Sequence, residues 1–192
     1  MDRDRLTAFT DGVLAVIITI MVLELKPPSG ASMNALVELW PHFLSYVLSF
    51  IYVGIYWNNH HHFFQLVKAI DGAVLWANMN LLFWLSLIPF TTAWMGEHQF
   101  EPLPTALYGV SLAMSAVAWF VMQSVIVRLQ GEGSALRRAL GADLKGKLSP
   151  FVYLAGIGLS FVNAPLADGL YALVALAWLV PDRRIEASIG GG

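Results

Sequence analysis

The sequence predicts an all-α integral membrane protein, with six transmembrane helices in one domain that spans residues 1–192. The composition indicates this class because 57% of the residues are hydrophobic and only 12% are charged, whereas a soluble domain carries roughly a quarter charged residues. Six apolar segments cover most of the chain, and about 20 helical residues suffice to cross a hydrocarbon core of about 30 Å. The segments are continuously apolar and lack strand alternation, which favours helices over a closed barrel.

The six segments follow from hydropathy and from the residues that flank them. They run approximately over residues 6–25, 40–64, 73–94, 103–129, 149–163 and 165–180. Asp71 is expected to cap the third helix, and Pro89 inside that helix should kink or end it. Pro104 and Pro150 stand where a first-turn proline is tolerated, with Ser149 as the cap before Pro150.

The basic residues are distributed unevenly between the two ends of the predicted bundle. With the N-terminus inside, ten of the eleven Lys and Arg residues fall on the cytoplasmic side, and only Lys26 falls outside. Because Lys and Arg favour cytoplasmic loops, both termini are predicted to be cytoplasmic in a multi-pass protein of the cell membrane. The ten inner residues are Arg3, Arg5, Lys68, Arg128, Arg137, Arg138, Lys145, Lys147, Arg183 and Arg184.

Composition also excludes several classes of function. The chain has no Cys and a formal net charge of −2, so it offers no disulfide framework or thiolate chemistry, and no basic stripe points to a nucleic-acid partner. A membrane enzyme would need an activated nucleophile or a set of metal ligands, and the sequence supplies neither. We therefore expect no enzyme activity and no cofactor.

Polar residues inside the apolar segments need an explanation, because an unpaired polar group in lipid is costly. Arg5 and Asp11 bracket the first turns of helix one, and Asp11 lies too deep for a simple cap. Two interpretations stay open. The pair forms a buried polar node that fixes helix one against its neighbours, or it lies at the interface and reaches the headgroups.

Helix two ends in three consecutive His residues, which raises the question of a metal site. Successive helical residues point about 100° apart, so the three rings cannot chelate one ion together, and we expect no metal. The better interpretation is an interhelical hydrogen-bond network, since polar side chains commonly bond across membrane helices. Its candidate members are Arg5, Asp11, Trp57, His60, His61, Asn78 and Asn80.

Further along helix one, Val16, Ile20 and Leu23 recur at helical spacing and form one stripe. The spacing alone favours an ordinary packing or lipid-facing stripe over a functional one.

The start of helix one resembles the transmembrane protein 175 family, the lysosomal and prokaryotic potassium channels. The family hallmark is an Arg, three residues, then Phe-Ser-Asp, and here it reads Arg5-x-x-x-Phe9-Thr10-Asp11, with Thr in the Ser position. The resemblance covers the whole chain in length and helix count, although its specific motifs lie in the first half. Further matches in helices two and three are Trp57, His60, His61, Asn80, Pro89, Phe90 and Thr92.

The resemblance implies a potassium-permeable cation channel that assembles as a homotetramer in the lipid bilayer, with helix one of each subunit lining the pore. It places an aliphatic constriction at Val16, with Ile20 and Leu23 further along the same face, and it implicates the Thr19 hydroxyl in ion preference. K⁺ and other monovalent cations would be permeant species, not cofactors. No Thr-Val-Gly-Tyr-Gly loop occurs, so a carbonyl filter is excluded and moderate K⁺ selectivity would come from dehydration cost.

Two other functions compete with this expectation. One is a proton-coupled secondary transporter that uses Asp11 and the region His60 to His62 as a proton relay. The absence of an inverted repeat and of a pair of Gly/Pro-broken helices argues against it. The other is a purely structural membrane subunit.

Overall fold

The computed structural model describes residues 2–131, 134–141 and 143–179. Within these ranges the chain folds into nine α-helices and contains no strand, which confirms the all-helical class. The helices are α1 (Arg3–Leu23), α2 (Met33–Val37), α3 (Trp40–Gln65), α4 (Gly72–Ser86), α5 (Ile88–Glu97), α6 (Pro102–Gln130), α7 (Ala135–Leu140), α8 (Leu144–Ser160) and α9 (Ala164–Leu179).

The predicted segments correspond to α1, α3, the pair α4 and α5, α6, α8 and α9. The third segment is divided at Leu87, two residues before Pro89, so the predicted interruption is confirmed. The short helices α2 and α7 lie in connections and were not predicted. The predicted end of the sixth segment at Val180, together with Arg183 and Arg184, lies outside the described residues.

Two of the predicted helix starts are confirmed and one is wrong. Asp71 caps α4 by accepting the Val74 amide at 2.9 Å, and Pro104 lies in the first turn of α6. Ser149 does not cap a helix, because α8 begins earlier at Leu144 with Asp143 as its cap. The first turn of α8 carries lysines and glycine, so it is helical without being apolar, and hydropathy could not detect it.

Three stretches of the described chain are long and apolar enough to cross a membrane, namely Arg3–Leu23, Gly72–Glu97 and Pro102–Gln130. The second combines α4 and α5 across their interruption. Helix α3 is also long, at 26 residues, but its Tyr, Trp, Asn and His side chains lower its hydropathy. Helices α8 and α9 are apolar but shorter, at 17 and 16 residues.

Helix α6 lies at the centre of the subunit, where it packs against α4, α5, α8 and α9. Tyr171 of α9 is fully buried there because two glycines make room for its ring. A Cβ on Gly109 of α6 would approach the Tyr171 Cζ to 2.6 Å, and one on Gly156 of α8 would approach it to 3.0 Å. Helix α1 lies at the periphery, against α3, α4 and α5.

Side-chain contacts show which helix ends lie together. Arg3 of α1 donates to the Gln65 carbonyl at the end of α3, and Lys145 of α8 donates to the Ala177 carbonyl near the end of α9. One pocket is lined by late residues of α3 and α6 and by the start of α8. We call this side, where α1 and α8 begin and α3, α6 and α9 end, the basic end. At the opposite end, Lys26 pairs with Glu97.

Candidate pore-lining helix and its polar anchor

Helix α1 has two unlike faces. One face is buried against the rest of the subunit, and each of its members is at most 2% exposed: Leu6, Thr10, Leu14, Ile17 and Met21. On the other face, the three stripe residues are uncovered in the subunit. Val16 is 54% exposed, Ile20 42% and Leu23 78%. The stripe predicted from spacing therefore belongs to the surface of the subunit, not to its core.

Thr19 lies beside the stripe and is exposed. Its hydroxyl donates to the Val16 carbonyl at 2.8 Å, which is the local bond that Thr commonly makes within a helix. The Thr19 oxygen therefore lies close to its own helix backbone at the level of Val16, with its proton already engaged. In this arrangement the oxygen can still act as an acceptor.

A chain of three buried polar side chains fastens the first turns of α1. Asn78 of α4 donates its Nδ2 to Thr10 Oγ1 at 2.9 Å, and its Oδ1 lies 3.0 Å from His60 Nε2 on α3. Because the amide oxygen can only accept, the His60 proton must reside on Nε2. All three residues are at most 2% exposed. This arrangement links three helices through the hydroxyl of the motif.

The carboxylate of Asp11 has a different partner. Trp57 Nε1 donates to Asp11 Oδ1 at 3.1 Å, and the Trp57 ring stacks on His61, with 6.1 Å between centroids. His61 in turn bonds to Gln65 on its own helix. Asp11 and Trp57 are both exposed in the subunit, so this bond lies at its surface and not in a buried ion pair.

Some of the predicted network members stand apart in the subunit. Arg5 and Asn80 are exposed, and neither shares a described hydrogen bond or ion pair with Asp11. Phe9 is 48% exposed. Arg5, Phe9 and Asn78 line a surface recess of about 330 Å³ between α1 and α4. Thr10, Asp11, Trp57 and His60 are therefore joined to neighbouring helices, whereas Arg5 and Phe9 border an uncovered recess.

Asn78, and not the neighbouring candidate Asn80, connects the network. The signal that separates them is periodicity. The buried positions of α4 recur at helical spacing and include Asn78 but not Asn80; they are Val74, Ala77, Asn78, Leu81, Leu82 and Leu85. A second buried cluster joins α3, α5 and α6, and it includes Thr92, one of the residues that carry the family resemblance. Ser49 lies 2.6 Å from Thr92 Oγ1 and donates to the Tyr108 hydroxyl at 3.0 Å.

The three consecutive histidines point to different partners. His60 bonds to Asn78, His61 to Gln65, and His62 to the Asn58 carbonyl. Among the described residues, no group of three or more His, Cys, Asp or Glu side chains is placed to hold a metal ion.

Comparison with known proteins agrees with the motif. Residues 5–89 match the family model described as endosomal/lysosomal potassium channel TMEM175. A protein of Chryseobacterium sp. (strain P1-3), named a potassium channel, is 54% identical over 98% of both chains. Another so named, from Streptomyces collinus, is 31% identical over 97% of this chain and 98% of its own.

A solved structure extends the match to the fold. The crystal structure of a lysosomal potassium-selective channel TMEM175 homolog from Chamaesiphon minutus superposes with a TM-score of 0.74 at 30% identity. The match covers 94% of this chain and 97% of that one. Because its helices are apolar and these relatives match it over nearly the whole of both chains, the chain is a membrane protein and belongs to the TMEM175 potassium-channel family.

Proposed function

We propose that four copies of this chain form a potassium-permeable channel, with α1 of each subunit lining a central pore. The observation that carries the proposal is the uncovered aliphatic stripe on α1, which lies about a third of a turn around the helix from the face held by buried contacts. A helix that is anchored on one side and bare on the other needs a second surface to face. In a tetrameric channel, α1 would face the central pore and the α1 helices of the other subunits.

The proposed topology has six crossings, made by α1, α3, α4 with α5, α6, α8 and α9. Both termini then lie on the same side, and the basic end becomes cytoplasmic under the positive-inside rule. Of the ten Lys and Arg residues predicted to be cytoplasmic, those that the structure describes lie in the connections at that end or in the helix turns beside them. Lys26 and the acidic residues Glu97 and Glu101 fall at the other end, which would be the outer mouth.

In the proposed pore, Val16, Ile20 and Leu23 of four subunits form successive apolar collars. An ion crosses such a collar only by shedding water, and hydrophobic constrictions can gate by dewetting. K⁺ holds its hydration shell less tightly than Na⁺, so K⁺ passes more readily, but selectivity is moderate because no carbonyl cage replaces the lost water. Thr19, beside Val16, offers a hydroxyl oxygen at this level and tunes ion preference.

The environment of the ionisable groups favours a channel over a proton-coupled transporter. Asp11 is held by an indole N–H at the subunit surface, and His60 is bonded to a neutral amide. His61 and His62 bond within their own helix. These partners do not form a continuous relay between Asp11 and the histidines.

Flux from proteoliposomes tests the proposal. Purified protein should release K⁺ down its gradient, and release should not depend on an imposed pH gradient. Flux that requires the pH gradient would favour the transporter, and the absence of K⁺ flux from correctly assembled tetramers would overturn the channel. Chemical cross-linking in the liposome measures the subunit number independently.

Substitutions in the stripe test its role within the channel. Ile20→Asn or Leu23→Asn should hydrate the collar, raise K⁺ flux and weaken discrimination against Na⁺. Val22→Asn is the matched control, because Val22 is also exposed, at 45%, but lies about 100° or more around the helix from each stripe residue. If the stripe variants and the control behave alike, the collar is not the filter, even where the tetramer conducts.

A further inference from the structure

A cavity of about 270 Å³ opens at the basic end between α6, α7 and the start of α8. Helix α1 packs against α3, α4 and α5, whereas α6, α7 and the start of α8 line this cavity, so the cavity is separate from the proposed pore. The described residues that line it include three cationic side chains, Arg128, Arg137 and Lys147, and the Asp143 carboxylate. Among the described lining residues, positive charge therefore exceeds negative charge.

The Asp143 carboxylate is engaged by the backbone of α8. Asp143 Oδ1 accepts the Gly146 amide at 3.1 Å, as the N-cap of α8. Arg137 donates to the Gly141 carbonyl at 3.3 Å, which holds its guanidinium beside the cavity. Arg128 and Lys147 are exposed on the two sides of the cavity. Asp143 carries a single negative charge, so among the described lining residues it offsets only part of the positive charge.

The depth of the cavity corresponds to the headgroup layer of a bilayer. Helix α6 has 29 residues, roughly 44 Å at 1.5 Å per residue, which exceeds a hydrocarbon core of about 30 Å. The last turns of α6, with Arg128, therefore extend into the headgroups. Phe120 and Leu140 supply apolar walls beside the cations, so the cavity is amphipathic.

We propose that this cavity binds the phosphate group of an anionic phospholipid. Arg and Lys bind phosphate oxygens by charge-assisted hydrogen bonds, and basic pockets between membrane helices are suited to acidic headgroups. The same three cations would attract a free phosphate ion, but a free ion makes no use of Phe120 and Leu140. A lipid uses both, with its phosphate at the cations and its glycerol and upper acyl chain against the apolar wall.

The test measures thermal unfolding of the purified, assembled protein in a neutral detergent, followed by tryptophan fluorescence. Phosphatidylglycerol should raise the unfolding temperature in a saturable way, whereas phosphatidylcholine and inorganic phosphate at equal ionic strength should not. Lys147→Gln should raise the half-saturating lipid concentration about fivefold, as expected for one basic residue at an anionic headgroup. Arg128→Gln combined with Lys147→Gln should abolish the shift.

Lys68→Gln is the matched control, because Lys68 is an exposed lysine at the same end but does not line the cavity. If Lys147→Gln fails to fold, Lys147→Arg retains the charge and should retain the response, while Arg128→Gln still tests the site. Equal protection by phosphatidylcholine, or an equal loss in Lys68→Gln, would overturn the site. Equal protection by inorganic phosphate would overturn the lipid as its occupant. Binding is read without ion flux, so the result is independent of channel activity.

Discussion

Helices α1 and α6 are both long and apolar, yet they differ in how much of their surface is buried within the subunit. Within their most apolar stretches, 28% of α1 is buried compared with 56% of α6. Helix α6 has neighbours on several sides, whereas α1 has neighbours on one side only. The difference indicates that the subunit is complete around α6 and incomplete around α1, where the remaining contacts must come from lipid or from other subunits.

The two regions also use different interactions. Around α1, polar side chains join helices through Thr10, Asn78 and His60. Around α6, the Tyr171 ring fills a notch made by Gly109 and Gly156. Small residues allow membrane helices to approach closely, and dispersion contacts then hold them together. The region around α6 should therefore be sensitive to added volume, and the region around α1 to lost hydrogen bonds.

The largest effect is expected from Gly156→Ala. The new methyl group would overlap the Tyr171 ring, whose Cζ would lie only 3.0 Å away, and the ring is fully buried. Overpacking of this kind typically costs about 1–3 kcal/mol, and a buried ring with no room to move should place this variant at the upper end. Thermal unfolding in detergent measures the loss.

Gly158→Ala is the control for this substitution, in the same helix two residues away. A Cβ at Gly158 meets nothing within 4 Å, and Ala is a better helix former than Gly by about 0.5–1 kcal/mol. Gly158→Ala should therefore be neutral or slightly stabilising in the subunit. If both variants lose equal stability, contacts made in the assembly dominate, and the notch is not what holds α6.

The next effect is expected from Asn78→Leu. Leu has the same branched shape as Asn but leaves the Thr10 hydroxyl and the His60 ring N–H without their partner. Each hydrogen bond between membrane helices contributes about 0.6 kcal/mol on average and at most about 1.7, so two should cost about 1–2 kcal/mol. Asn80→Leu, at an exposed position on the same helix, should change the unfolding temperature little, and an equal loss there would contradict the assignment of Asn78.

Hydropathy, together with capping residues and prolines, predicted most of the helices, because a helix that spans a membrane needs a long apolar run. The interruption at Leu87 followed from Pro89 alone, since proline lacks the amide that a helix interior requires. The start of α8 was missed for the complementary reason: its first turn is helical but polar, and no apolar pattern marks it.

The sequence predicted which helices the polar network joins, but not which residues form hydrogen bonds with one another. The sequence placed Thr10, Asp11, Trp57 and His60 on helices that should meet, and each of these residues does bond across helices. Choosing Asn78 over Asn80 required the buried register of α4, which depends on how that helix is rotated against α1 and α3. The notch around Tyr171 could not be predicted, because the residues near Gly109 and Gly156 in the sequence do not indicate which side chain packs against these glycines.

A smaller effect is expected from Trp57→Phe, which keeps an aromatic ring but removes the indole donor to Asp11. Asp11 is exposed in the subunit, so the loss should be about 0.5–1 kcal/mol, well below the several kcal/mol of a broken buried ion pair. Trp76→Phe is the matched control, because Trp76 is 77% exposed and has no described hydrogen bond. A much larger loss for Trp57→Phe alone would mean that the assembly buries this bond.

The smallest effect is expected at the ion pair that joins the end of α1 to the end of α5. Lys26 Nζ lies 3.2 Å from Glu97 Oε1, and the two side chains are 74% and 46% exposed. Exposed pairs of this kind contribute about 0–1 kcal/mol, because water screens the attraction and ordering two flexible side chains costs entropy. Lys26→Gln should therefore leave the unfolding temperature of the protein in detergent unchanged within error, at low and at high salt. A loss that disappears at high salt would show a working ion pair and would tie the outer end of α1 to the subunit. The part of α1 that makes no contact with its own subunit would then start below Leu23, at Ile20 and Val16.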